Sequence, residues 1–195
     1  MTLLQIAKAL QDEGRFDEAE RLLRLEVLPG AAQHGALLEL ETKLQLMMLG
    51  EADTEQPDIV RSVRELLPIV ERISDTCWQA RGLLAIAEIL SAHGESDEVL
   101  RILNDDVIPR FQRVHDAHGV AVAKMLLAGT ISRNGDDAAA FAVLQEHCLP
   151  EFERVGDLAS RWAALSLMAI VLFRQGKRDD ALRLMTERPS ASSQP

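Results

Sequence analysis

Apolar residues recur along the chain with helical spacing on both sides of a set of glycines. Leu3, Ile6, Ala7 and Leu10 precede Gly14 by 11, 8, 7 and 4 residues. Leu83, Ile86, Ala87 and Leu90 hold the same offsets from Gly94, and Leu165, Met168, Ala169 and Leu172 hold them from Gly176. This i, i+3, i+4, i+7 spacing predicts one buried face of an α-helix before each glycine. The glycine then predicts the helix stop, because it takes the left-handed conformation at little cost. A second stripe follows. Ala19, Val99, Ala140 and Ala181 stand five residues after their glycines; Leu23, Leu103, Leu144 and Met185 nine after; Val27, Val107 and Cys148 thirteen after. Phe111 and Phe152 continue it at seventeen, and Val114 and Val155 at twenty.

The two stripes repeat. Gly94, Gly135 and Gly176 lie 41 residues apart, as do Pro68, Pro109 and Pro150, and Asp75, Asp116 and Asp157. A period in this range predicts stacked helix pairs, since one pair cannot bury its own apolar faces. Each unit is expected to hold two antiparallel helices of roughly 17–20 residues, the repeat less two short turns. The boundaries fall near 1–33, 34–75, 76–116, 117–157 and 158–188, about five repeats in all. Asp75, Asp116 and Asp157 each precede a new apolar stripe and are expected to cap it. Each second stripe runs past a proline, and its unbroken phase favours a kinked helix there over a broken one.

The second unit departs from the pattern. Gly50 lies 21 residues after Pro29 and 18 before Pro68, where later units have 26 and 15. The run 49–58, LGEADTEQPD, predicts a longer loop with Pro57 near the next helix start. Leu37, Leu38, Leu40, Leu44, Leu46, Met47, Met48 and Leu49 spread over too much of a helix surface to set one register. The repeat domain is expected over 1–188, and the small, polar end at 189–195 is expected to be disordered.

Composition narrows the function. The formal net charge is −10, which disfavours a nucleic-acid backbone as partner. No apolar stretch reaches the 18 residues of a membrane span, and Met1 leads into an amphipathic run without a basic signal-peptide segment. A cytoplasmic location is the default expectation. Two distant cysteines, Cys77 and Cys148, form no disulfide framework.

The run Gly14-Arg15-Phe16-Asp17-Glu18-Ala19, with Leu/Ala pairs before it, resembles the tetratricopeptide repeat. The longer period and the segment Leu149–Asp157 resemble its extended bacterial variety. Val99 in place of Ala, and Lys124 where Leu83 and Leu165 stand, depart from the pattern. The resemblance implies an all-α, right-handed superhelical solenoid of antiparallel helix pairs whose first helices line a concave groove. It implies a protein–protein interaction module, such as an adaptor, scaffold or regulatory subunit, with no cofactor. On the family arrangement the groove residues are Arg81, Leu84 and Glu88, then Val122, Met125, Gly129 and Ser132, then Ser166, Ile170 and Phe173. Gly129 is expected to let a partner approach the backbone. Ile170 and Phe173, on a helix that is apolar almost all round, call for a cover: a partner's amphipathic helix or a second copy of this chain. The simpler alternative is that the final helix, from Arg178, folds over them.

Other chemistry is weakly signalled. His115, Asp116 and His118 have the types but not the number of metal ligands, so no metal site is expected. An enzyme on the solenoid is the alternative, with Cys148 and His147 or His115 and His118 at its site, yet Cys148 occupies a core place of the stripe. No Gly-rich phosphate loop occurs. Catalytic groups must converge in one pocket, whereas the polar residues here follow the repeat. A pure oligomerisation element is the third alternative. Lys124 is expected to extend its ammonium to the rim.

Overall fold

The computed structural model describes residues 2–50 and 56–186. The centre of the expected 49–58 loop and the expected tail lie outside the described residues. Every regular element among the described residues is helical. The chain divides into two compact units, 1–95 and 96–195.

The first unit holds α1 (Leu3–Asp12), α2 (16–34), α3 (Ala36–Gly50), α4 (Gln56–Arg64), α5 (Leu67–Glu71) and α6 (Thr76–Ala92). Thr2 starts α1 with a capping box: its hydroxyl accepts the Gln5 N–H at 3.3 Å, and the Gln5 side chain accepts the Thr2 N–H at 2.9 Å. Helix α1 packs on α2, α2 and α5 pack on α3, and α4 and α5 pack on α6. The junction of α3 with the segment after α5 is polar. Glu39, 8% exposed, accepts from Arg72 at 2.5 Å and pairs with Lys43 at 3.2 Å. Burial alone would raise this carboxyl, but the two cations hold it below the usual range.

The second unit holds α7 (96–113), α8 (Ala117–Arg133), α9 (137–155), α10 (Leu158–Arg174) and α11 (Arg178–Thr186), each packed on the next. The expected glycine stops take left-handed conformations, with φ of 76° at Gly14, 82° at Gly94, 96° at Gly135 and 79° at Gly176. The three aspartates cap as expected: Asp75 accepts the Trp78 N–H at 2.9 Å, Asp116 that of Gly119 at 2.8 Å, and Asp157 that of Ser160 at 3.0 Å. The bonds from Ser160 hold the Asp157 carboxyl below its ordinary range.

The prolines are accommodated in a way that the spacing did not name. Helices α2, α7 and α9 each widen into a π turn, at Leu23–Val27, Ile102–Val107 and Leu144–Cys148. The α-helix resumes at once, with Pro29, Pro109 and Pro150 in its first turn. A proline in an α-helix lacks a donor and crowds the carbonyl four residues back. The i→i+5 pattern of a π turn carries that clash away without ending the helix. The helix therefore continues at these three prolines, whereas before Pro68 the residues 65–66 form a turn and α4 is separated from α5.

The π turn also puts the second stripe on one face. Steps of four residues drift by about 40° each on an α-helix, so the three steps from the fifth to the seventeenth position should drift about 120°. One inserted residue cancels about 100° of that. Ala19, Leu23 and Ala31 are 0% exposed and Val27 6%. Val99, Leu103 and Val107 are 0% and Phe111 1%, and Ala140, Leu144, Cys148 and Phe152 are all 0%. Val114 and Val155, expected in the same stripe, are instead exposed at 37% and 42%. They lie past the last core contact, on the turn that ends each helix.

Candidate partner-binding surface

Helix α10 turns Ala164, Leu165, Met168 and Val171 into the core. Its other side carries Ser166, Ile170 and Phe173. Helix α11 packs against α10 and buries Ala181, but it does not cover this side. Ile170 remains 55% exposed, Phe173 58%, Leu182 65% and Met185 41%. Together with Ala169 these side chains line an apolar groove of about 480 Å³, with Arg174 and Arg178 at its rim. The Arg178 guanidinium lies 5.4 Å from the Phe173 ring centroid, a cation–π distance. Arg174 points back: it donates to the Ser132 carbonyl at 3.2 Å, to the Ser132 hydroxyl and to Asp137. The Ser132 hydroxyl itself donates to Asp137 at 2.8 Å.

The other expected groove residues are placed differently from one another. On α6, Arg81 is exposed and stacks over Trp78 at 5.2 Å, while Leu84 is 9% exposed and belongs to the core. Glu88 is exposed, yet the protein around it desolvates its carboxyl and pushes it above the usual range. On α8, Val122 and Met125 are half-buried against the core of the second unit. A methyl group added at Gly129 would make ordinary contact with Leu167 Cδ2, at 3.6 Å. Ser132 is 2% exposed and engaged with Arg174. Its partner in that contact lies 42 residues away, beyond the reach of a spacing argument.

The candidate chemical residues do not assemble into a reactive centre. His118 lies 3.5 Å from Asp157 and meets the Phe152 ring edge-on at 5.8 Å. His115 lines a separate pocket. No cluster of three or more His, Cys, Asp or Glu side chains able to hold a metal occurs among the described residues. Cys148 is 0% exposed and its thiol donates to the Ala121 carbonyl at 3.4 Å. Burial pushes that thiol up to about 12, opposed only partly by Lys124. A thiol of that kind is a poor nucleophile. Cys148 should therefore resist a disulfide-exchange reagent at neutral pH in the native protein and react fully in denaturant; rapid native labelling would contradict its packing.

No described helix is long and apolar enough to cross a membrane. The family model of the tetratricopeptide repeat matches residues 2–24 and 162–186, the two ends of the helical array. The second match contains all the residues that line the exposed groove. No curated protein matches the sequence. Among solved structures the chain is similar to the kinesin light chain TPR-like repeats of Podosopora anserina. The likeness has a TM-score of 0.71 and 18% identity, and it covers 94% of this chain and 89% of that one. A second structure of those repeats gives a TM-score of 0.69 at 18% identity, covering 94% of this chain and 90% of that one. This likeness establishes the fold: an all-α array of TPR-like helix pairs. The two matched segments agree with that fold: both ends of the chain are similar to the tetratricopeptide repeat.

Proposed function

We propose that the protein is a non-enzymatic interaction module, an adaptor or regulatory scaffold, that receives an amphipathic helix of a partner protein. Repeats of this family generally bind proteins. The observation that carries the reading is the uncovered groove of Ile170, Phe173, Leu182 and Met185. A contiguous apolar surface of this kind marks an interaction site. Its place between two packed helices suits a third helix laid along it. The rim selects the charge. Arg174 is already engaged by Asp137, whereas Arg178 has no carboxylate partner among the described residues. An acidic side chain flanking the partner's apolar face would pair with it.

The test uses a fluorescent amphipathic helix with leucines on one face and glutamates beside them, and an analogue with lysines in place of the glutamates. Anisotropy should show saturable binding of the acidic peptide and weaker binding of the basic one. Replacing Ile170 and Phe173 by Asp should weaken the acidic peptide at least tenfold with helicity unchanged, since both side chains are already more than half exposed. Equal binding by the double variant would overturn the groove as the site. Sedimentation of the unliganded protein separates the second reading: a dimer that the same double variant converts to monomer would make a second copy of this chain the occupant.

A further inference from the structure

One pocket of the second unit is created by departures from the repeat. It measures about 400 Å³ and is lined by Gln112, His115, Asp116, Lys124, His147 and Glu151, with the apolar Ala117, Val120 and Ala121 among them. One repeat later, the positions of Ala117, Val120, Ala121 and Lys124 carry Leu158, Arg161, Trp162 and Leu165. Leu165 is 5% exposed and closes its part of the core, and Arg161 pairs with Glu153 at 3.0 Å. The fourth repeat has smaller side chains at the first three places and a half-buried lysine in place of the leucine. His115 is a further departure: its φ of 56° is left-handed, a conformation the following repeat gives to Gly156. A histidine held there carries strain that glycine would avoid.

The charges around the pocket are unequal in their engagement. Glu151 is taken by Arg154, at 2.6 and 2.8 Å, and its carboxyl is held below the usual range. Asp116 is taken by the start of α8, where it accepts the Gly119 N–H at 2.8 Å. The side chains of Lys124, His115 and His147 have no hydrogen-bonded or ionic partner among the described residues. The pocket thus offers one ammonium and two imidazoles as donors, beside three apolar side chains, in a chain of formal net charge −10.

We infer that this pocket binds a small organic anion, with its carboxylate or phosphate group on Lys124, His115 and His147 and its carbon skeleton on Ala117, Val120 and Ala121. The volume lies in the range of small-molecule sites. Oxyanion recognition by an ammonium and ring N–H donors supplies charge-assisted hydrogen bonds. This inference is independent of the apolar groove between α10 and α11.

The test is calorimetric titration of the full chain with citrate and with glycerol 3-phosphate as the two organic probes, and with inorganic phosphate as the bare ion. Saturable one-site binding of either organic probe is expected, and which one binds assigns the head group. Lys124→Leu restores the residue of the neighbouring repeats, so it should keep helicity and thermal stability while weakening the probe more than tenfold. His147→Gln, an exposed position, gives a second variant that should fold normally and bind more weakly. The inference is overturned if neither organic probe saturates, if both variants bind like the parent, or if inorganic phosphate binds as tightly as the organic probes.

Discussion

Gly119→Ala should destabilise the protein, and the same substitution should become stabilising once Phe111 is removed. Gly119 is buried in the first turn of α8, and a Cβ added there would lie 2.5, 2.7 and 2.8 Å from three atoms of the Phe111 ring. Phe111 is 1% exposed and rigid in its packing, so the ring cannot simply turn away. Overpacking of this kind costs about 1–3 kcal/mol. Against it stands the better helix propensity of alanine, about 1 kcal/mol. Three contacts under 3.0 Å put the cost in the upper part of that range, about 2–3 kcal/mol, so the single variant should lose about 1–2 kcal/mol net, and Phe111→Ala alone about 3–5 kcal/mol. In the Phe111→Ala background the clash is gone and only the propensity gain remains, so Gly119→Ala should add up to about 1 kcal/mol. Urea unfolding of the four proteins measures the cycle. An effect of Gly119→Ala that keeps its sign and size in both backgrounds would show that the contact is relieved elsewhere. Gly82→Ala is the control: its Cβ would lie 2.7 Å from Leu40 Cδ2, the end of a flexible side chain, and should be milder.

Phe152→Ala should be among the most damaging single changes in the second unit, at about 3–5 kcal/mol. Phe152 is 0% exposed, and the buried cluster around it is dominated by small side chains: Ala121, Ala128, Ala140, Cys148 and Ala164, with Leu144 and Met168. Small residues on helices already in contact cannot collapse into the space that a phenyl ring leaves. The cavity would also strip the edge-on contact from His118. Phe152→Leu, which keeps most of the volume, should lose less than about 1.5 kcal/mol. If the alanine variant costs no more than the leucine variant, the packing there is looser than its burial indicates.

The helix stops at Gly14, Gly94, Gly135 and Gly176 and the caps at Asp75, Asp116 and Asp157 were legible because each depends on a few neighbouring residues. The buried stripe from Val99 to Phe111 was legible for the same reason. The π turns were written in that stripe as well: three successive steps of four are one residue too many for an α-helix. The expected phase through Pro109 and Pro150 was correct without its cause. The groove residues were harder to read. Repeat offsets put Leu84 and Ser132 on the same face as Ile170 and Phe173, but offsets do not report what lies opposite. Leu84 is buried, and Ser132 is enclosed by Arg174 and Asp137, contacts made across long stretches of chain. Lys124 was visible as a misfit in the pattern, but the pocket beside it was not. That its neighbours Ala117 and Ala121 also fall short of their counterparts became meaningful only once they were seen to share one space.

Arg174 immediately follows Phe173, and its guanidinium is tied to Ser132 and Asp137 at the junction of α8 with α9. The last turn of α10 is thereby fastened to the preceding helix pair, and the wall that Phe173 contributes to the apolar groove is fixed before anything arrives. A wall already held in place loses little conformational freedom on binding. If the groove receives a helix as proposed, it is a template rather than a mould: an incoming helix would have to match its shape, because a wall already tied down has little room to rearrange around a poor fit.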